Sequence, residues 1–195
     1  MRQSVFDYID NLDTLLAVII GALLATGGAM VAEIVQERLG RKRRERDAAR
    51  FFGEILSSVD RVLDRAFQSM EMGERWGSVS KRLFRTALDE TRIYERNRER
   101  LFEIHDLELR RTIHTHFLEE TVPLVALLEN WDEYDEISKE LSENEQMSEA
   151  RRARLTEELE KLQEYRELGL RSTKREHAAT EAICAMLEPI AQIRF

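Results

Sequence analysis

The clearest candidate for chemistry is the stretch RSTKREH, in which Arg171 and His177 stand six positions apart. An arginine can stabilise the charge that develops on a phosphate, and a histidine can move a proton near neutral pH. Such a pair has the residue types that phosphoryl transfer needs. The alternative is a histidine at the edge of the core. Similar spacings recur by chance in an arginine-rich chain: Arg100 to His105 and Arg111 to His116.

Residues that bind metals or cofactors form no recognisable set. His114 and His116 are two positions apart, so on a helix they point about 200° apart and cannot share a metal ion. His116 and Glu120 share a helix face, but two ligands do not make a site. The sequence has no glycine-rich phosphate loop, no HExxH and no GxSxG motif. We expect neither a metal nor a cofactor, and the single Cys184 excludes an internal disulfide.

The elements that position these residues are helices. The 195 residues include only two prolines and eight glycines, and good helix formers fill most of the rest, which predicts an all-α fold. The net charge of −8 averages over unlike segments. Residues 36–50 carry seven Arg or Lys against three acids, whereas residues 129–149 carry nine acids and one Lys. This distribution excludes a uniformly basic nucleic-acid binder but not a local basic patch.

The N-terminal part of the chain contains an apolar stretch of the length of a membrane span. Residues 14–32 include no charged residue, and these 19 residues make about 28 Å of helix, close to the hydrocarbon thickness of a bilayer. Acids precede the stretch and a basic cluster follows it, the reverse of a secretory signal peptide. We therefore predict a transmembrane helix at 14–35, with a core or interfacial helix and a signal peptide as the alternatives.

The basic cluster after the span predicts the orientation of the chain. Positively charged flanks stay on the cytoplasmic side, so residues 1–13 are expected outside and everything after the span in the cytoplasm, as in a bacterial inner-membrane protein. The cluster either serves only as this topology signal or also contacts anionic headgroups of the bilayer. Its members in the juxtamembrane segment 36–50 are Arg41, Lys42, Arg43, Arg44 and Arg46.

Small residues within the span lie on one helix face. Gly21, Ala25, Gly28 and Ala32 are spaced four, three and four positions apart. Helices in lipid associate through close backbone approach, which small residues permit. This small-residue seam predicts a homo-oligomer; the alternative is the ordinary glycine and alanine content of membrane helices.

Residues 51–195 predict a cytoplasmic bundle of about four helices. An amphipathic stripe from Phe52 to Met70 continues the membrane helix and ends near 72–78. A second helix is expected from Ser80, and a third, capped by Asp106, runs through Pro123 to a turn near 142–148. Ser148 begins a last helix that Gly169 should weaken. The polar hairpin around 138–170 projects into solvent or meets a protein partner.

The layout resembles small bacterial proteins with one N-terminal span, a basic juxtamembrane stretch and an α-helical cytoplasmic domain. The resemblance rests on Tyr94, Asn97 and Leu101, followed by a capped helix with Phe117. Packing of the tyrosine and capping by the asparagine would explain the first two equally well.

The motif at 171–177 resembles the Arg-x(4–6)-His motif of HEPN ribonucleases, which are α-helical and usually dimeric. This resemblance implies that Arg171 contacts the scissile phosphate and that His177 acts on the ribose hydroxyl. Ser172 stands where that motif often has Asn, Asp or His. Size, topology and helix content are also similar to the membrane accessory protein of type VI CRISPR systems, which assembles into a pore-like oligomer.

Together these features predict a membrane-anchored, self-associating helical protein, a pore or membrane effector in antiphage or CRISPR-linked defence. The alternatives are a membrane-tethered HEPN-like ribonuclease, which would bind RNA, and a passive membrane scaffold. The first and third involve no enzymatic activity.

Overall fold

The computed structural model describes the backbone of residues 5–144 and 146–195 and, within these ranges, the side chains from Leu15 onward. It contains four α-helices and a short 3-10 helix, and no strand occurs in the described ranges. The predicted all-α fold is confirmed. The predicted segment 1–13 lies partly outside the described residues. The elements are α1 (Val5–Met72), α2 (Ser78–Asn97), the 3-10 helix (Arg98–Glu103), α3 (Leu107–Glu143) and α4 (Glu149–Ala191).

Polar caps begin the two C-terminal helices as the sequence predicts. The Asp106 carboxylate accepts the backbone N–H groups of Glu108 and Leu109, and the Ser148 hydroxyl accepts that of Arg151. These bonds satisfy donors that have no partner inside the helix. α2 begins two residues before the predicted Ser80, after Gly77 in extended conformation.

The chain divides into two compact units, of which the first ends at Arg44 and the second is Glu45–Phe195. In the first unit, α1 exposes its apolar side chains: Leu23 and Leu24 are 68% and 71% exposed. An 18-residue window of α1 has a mean hydropathy of 2.3 and no buried residue. By length and composition, α1 is able to span a membrane.

The second unit is a helical bundle with a continuous apolar core. The predicted stripe of α1 forms one wall of it, with Phe52, Leu56 and Leu63 fully buried. Trp131 and Leu127 of α3 fill the centre, and Phe84 of α2 packs within 5.7 Å of the Phe67 ring, centroid to centroid. The residues of α1 from Ala48 to Met70 are therefore part of the core of this unit.

The last helix has no break at Gly169, the residue that the sequence predicts to weaken it. α4 continues from Glu149 to Ala191, and Gly169 is buried. A Cβ atom at Gly169 would lie 3.2 Å from the Cβ and 3.3 Å from the Cα of Leu127. The glycine lets the α4 and α3 backbones approach closely, so its role is packing rather than helix termination.

The hairpin formed by the end of α3 and the start of α4 is solvent-exposed over most of residues 141–160. An ion pair of 2.5 Å between Arg151 and Glu140 joins its arms. Nearer the core, the Arg166 side chain is 2% exposed and its guanidinium carbon lies 3.5 Å from the centre of the Tyr134 ring and 4.5 Å from that of Trp76. This arginine is buried by stacking between aromatic rings.

Candidate functional site

The most distinctive surface is the apolar face of α1 in the first unit. The four seam residues Gly21, Ala25, Gly28 and Ala32 are all exposed. A Cβ atom built on Gly21, Gly27 or Gly28 would meet no heavy atom within 4 Å. The seam is therefore open along its length, and a second helix could approach the backbone there.

The predicted headgroup-contacting residues differ in how free their side chains are. Arg41, Lys42, Arg43 and Arg44 are exposed. Arg41 forms an ion pair of 2.5 Å with Glu37, one helical turn earlier. Arg46 belongs to the second unit, where its guanidinium donates to the Gln192 side chain at 3.2 Å. Its position in the bundle makes Arg46 less available to lipid than the other four.

The second unit contains a buried polar cluster between α3 and α4. Glu120 is fully buried and His116 is 3% exposed, and His116 Nε2 lies 3.2 Å from the Thr180 hydroxyl. The nearest Glu120 oxygen is 3.8 Å from His116 Nε2, too far for a hydrogen bond. Neither Glu120 oxygen has a hydrogen-bond partner among the described residues. Glu176, 7% exposed, closes the cluster from α4.

Burial sets the protonation of this cluster. It raises the pKa of Glu120 from its usual 4.5 to about 7, against the charge of His177, which lowers it. Burial likewise lowers the pKa of His116. The core therefore favours a neutral imidazole at His116, and it keeps the Glu120 carboxyl protonated to a pH well above the usual range.

Arg171 and His177 lie in different surroundings. Arg171 is exposed on α4. His177 is 18% exposed, and its Nδ1 lies 2.9 Å from Asp60 and its Nε2 3.0 Å from Asp64, both on α1. These carboxylates, Asp60 first, raise the pKa of His177 against the opposing effect of burial. The contacts in the structure pair the histidine with two carboxylates rather than with the arginine.

A shallow cleft of about 450 Å³ gives His116 and Glu176 access to the surface between α3 and α4. Among the described residues, no group of three or more His, Cys, Asp or Glu side chains is placed to hold a metal ion. The hydroxyl beside His116 belongs to Thr180, and both of these side chains are buried.

Sequence reasoning found part of this cluster. The four-residue spacing of His116 and Glu120 already places them on one face. Thr180 and Glu176 come from a helix about sixty residues further along the chain, and no local pattern connects them to His116. An acidic residue at an otherwise core-facing position of α3, beside His116 and Phe117, is the signal that indicates a buried carboxyl.

No protein-family model, curated protein or solved structure matches this chain.

Proposed function

We propose that this chain is a single-span membrane protein that self-associates through its span and carries a helical domain in the bacterial cytoplasm. The observation that carries the proposal is the α1 surface from Leu15 to Ala32, which has no charged residue on any side and is exposed. In water such a surface would cost about 25 cal/mol per Å² of exposed apolar area, whereas lipid solvates it.

Membrane integration is tested by adding charge to the span. Leu23→Lys together with Leu24→Lys should move the chain from the carbonate-resistant membrane fraction to the soluble fraction, because each lysine at a span centre costs about 3 kcal/mol. The matched variant Leu23→Ala with Leu24→Ala should stay in the membrane. Carbonate extraction of the parent chain into the soluble fraction would contradict the proposed anchoring.

The basic residues Arg41–Arg44 support an orientation with the bundle in the cytoplasm. Cys184 is a poor reporter of that orientation, because it is 9% exposed and burial raises its pKa to about 11. A better pair is Ser4→Cys and Ser142→Cys, each in a Cys184→Ala background, since Ser142 is exposed at the end of α3. An impermeant thiol reagent should label position 4, and not 142, in intact cells; the reverse would overturn the orientation.

Self-association is supported by the open seam. Gly28→Leu should separate the helix backbones, and lipid already solvates the new side chain, so nothing compensates the lost contact. Gly27→Leu is the matched control, because it adds the same side chain at a position about 130° from the seam centre. Crosslinking and native mass spectrometry in detergent should show loss of oligomer only for Gly28→Leu. Equal assembly of both variants would contradict a seam-mediated oligomer.

We further propose that the assembled span acts on the membrane, as a pore or effector in antiphage or CRISPR-linked defence. The support is the resemblance in layout described above and the combination of an open seam with a tethered domain. A cellular effect that disappears in Gly28→Leu, at unchanged protein level and membrane location, would favour it over a passive scaffold. The HEPN-like ribonuclease stays a prediction, tested by RNA cleavage with Arg171→Ala and His177→Ala.

A further inference from the structure

A second surface of the bundle combines basic and apolar side chains. It is a shallow pocket of about 420 Å³ where the 3-10 helix meets the start of α3. Four of its side chains are arginines or histidine, four are aromatic or aliphatic, and none is acidic. The lining residues are Arg98, Arg110, Arg111, His114, Tyr94, Leu101, Phe102 and Leu107.

The floor of the pocket consists of side chains that already pack against one another and against the core of the bundle. The Tyr94 ring stacks on the Phe117 ring, with centroids 4.0 Å apart. The Tyr94 hydroxyl lies 2.5 Å from His114 Nδ1, and Leu101 beside it is 8% exposed. Burial raises the pKa of Tyr94 to about 12, so its hydroxyl stays protonated. An anionic ligand therefore meets a rigid floor without a negative charge.

The rim of the pocket has apolar side chains that the bundle does not cover. Phe102 is 80% exposed and Leu107 is 59% exposed. The guanidinium carbon of Arg110 lies 5.9 Å from the centre of the Phe102 ring. Its Nε is shielded from solvent and has no hydrogen-bond partner among the described residues. Exposed apolar side chains beside an unused donor indicate a surface that something else completes.

This rim is tied to the part of the bundle where α1 enters it. The His105 backbone N–H donates to the Glu45 carboxylate at 2.8 Å, and the Arg100 guanidinium carbon lies 4.2 Å from the centre of the Phe51 ring. The proposed membrane anchor keeps the chain at a lipid surface, which supplies anionic phosphate groups.

We propose that this pocket binds the phosphate headgroup of an anionic phospholipid, an inference that rests on the proposed membrane anchoring. Arginine guanidinium groups bind phosphate oxygens with two parallel hydrogen bonds, and an exposed phenylalanine and leucine suit the boundary between headgroups and acyl chains. Glu108 competes at the rim, where it pairs with Arg111 at 3.3 Å. Both side chains are largely exposed, and such pairs are weak enough for a phosphate to displace.

The test measures how close the rim comes to lipid. Glu99→Cys, in a Cys184→Ala background, carries an environment-sensitive fluorophore on the exposed 3-10 helix. The full chain is reconstituted in phosphatidylcholine bilayers that contain a nitroxide-labelled lipid and increasing phosphatidylglycerol. Quenching should rise with phosphatidylglycerol, and Arg110→Gln should raise the fraction needed for half-maximal quenching about five-fold. Phe102→Ala, which removes no buried contact, should lower the maximal quenching.

The control Arg154→Gln removes the same charge from the exposed part of α4 and should leave the quenching curve unchanged. All variants keep residues 41–44, so the contribution of these basic residues to lipid binding is the same in every variant. Quenching that does not depend on phosphatidylglycerol, or that Arg110→Gln leaves unchanged, would overturn the inference.

Two further outcomes identify the source of a failure. If glycerol phosphate added to phosphatidylcholine bilayers reproduces the fluorescence change, the pocket binds a soluble phosphate and the lipid assignment is wrong. If the parent chain is carbonate-soluble, the anchoring itself fails and the lipid inference fails with it. If the chain is integrated in the membrane but its quenching does not depend on phosphatidylglycerol, the lipid assignment of the pocket is wrong and the proposed anchoring stands.

Discussion

The same helix, α1, shows two ways of placing apolar residues. From Ala48 to Met70 its apolar side chains form a stripe that is buried in the bundle, whereas from Leu15 to Ala32 they surround the helix and are exposed. A stripe is enough for burial against neighbouring helices, and apolar residues on every side give a helix the composition of a membrane span. The difference shows how one continuous helix can be encoded for two environments.

The glycines differ in the same way. Gly28 faces open space, while Gly169 lies against the backbone of Leu127. Glycine in the first unit leaves room for a partner, and glycine in the second unit is already used by the fold. Matched substitutions in the two units test this difference. The unfolding of the full chain in mild detergent can be monitored by the fluorescence of Trp76 and Trp131, which both lie in the second unit.

The largest contrast is expected for leucine truncation on α1. Leu56 is fully buried, so Leu56→Ala should lower the free energy of unfolding by about 2–5 kcal/mol through lost burial and the cavity left behind. Leu24→Ala, on an exposed site of the same helix, should leave that free energy unchanged. Similar losses in urea unfolding for both variants would mean that the bundle depends on the apolar segment, and the comparison would fail.

Charge is the second point of contrast, because the bundle buries Glu120 whereas residues 14–32 are free of ionisable groups. The folded state holds the Glu120 proton up to about pH 7 and the unfolded state only to about 4.5. The folded state therefore binds more protons between these values, and stability falls as pH rises through that window. Glu120→Gln should be more stable than the parent at pH 8 by roughly 3 kcal/mol, and equal to it near pH 4. If the free energy of unfolding had the same pH dependence in both proteins, ionisation of the Glu120 carboxyl would not destabilise the folded state, and the prediction would be wrong.

A smaller effect is expected where a side chain is added to a glycine. Gly169→Val should destabilise the bundle by about 1–3 kcal/mol, because the backbone of Leu127 leaves no room for it. Gly27→Val has open space around it and should not change the unfolding of the bundle. A neutral Gly169→Val would indicate that α3 and α4 can separate freely at this point.

The smallest effect is expected at Arg171, which is exposed. Arg171→Ala should change the free energy of unfolding by no more than about 0.5 kcal/mol.

His177, in contrast to Arg171, contacts charged residues of the bundle. His177→Gln should destabilise the bundle, because the Asp60 and Asp64 carboxylates raise the pKa of His177 in the folded state. That stabilisation is complete below about pH 6.5 and is lost as pH rises through the folded-state pKa. A loss of stability in His177→Gln that is as large at pH 9 as at pH 6 would contradict the ion-pair role.

Much of the fold could be predicted because its signals are local. Charge-free length marked the membrane-spanning candidate, apolar spacing marked the stripe of α1, and Asp106 and Ser148 marked helix starts through the donors they cap. Gly169 has no such local signal. A glycine in a helix can mark a weak point or a close contact, and only the packing of Leu127 against Gly169 decides which. The sequence shows that Phe102 and Leu107 stand among arginines, but it does not show that these two side chains are exposed.

The sequence by itself determined the class of the fold, the apolar segment, the helix caps and the open face of small residues, because each depends on residues within a few turns of one another. Only the tertiary structure decided that His177 contacts Asp60 and Asp64, that Thr180 reaches His116, and that the basic pocket lies where the chain enters the bundle. Those contacts join residues that are roughly sixty or more positions apart. Their formation depends on how helices pack against each other, and no pattern along one helix records which partner will cover it.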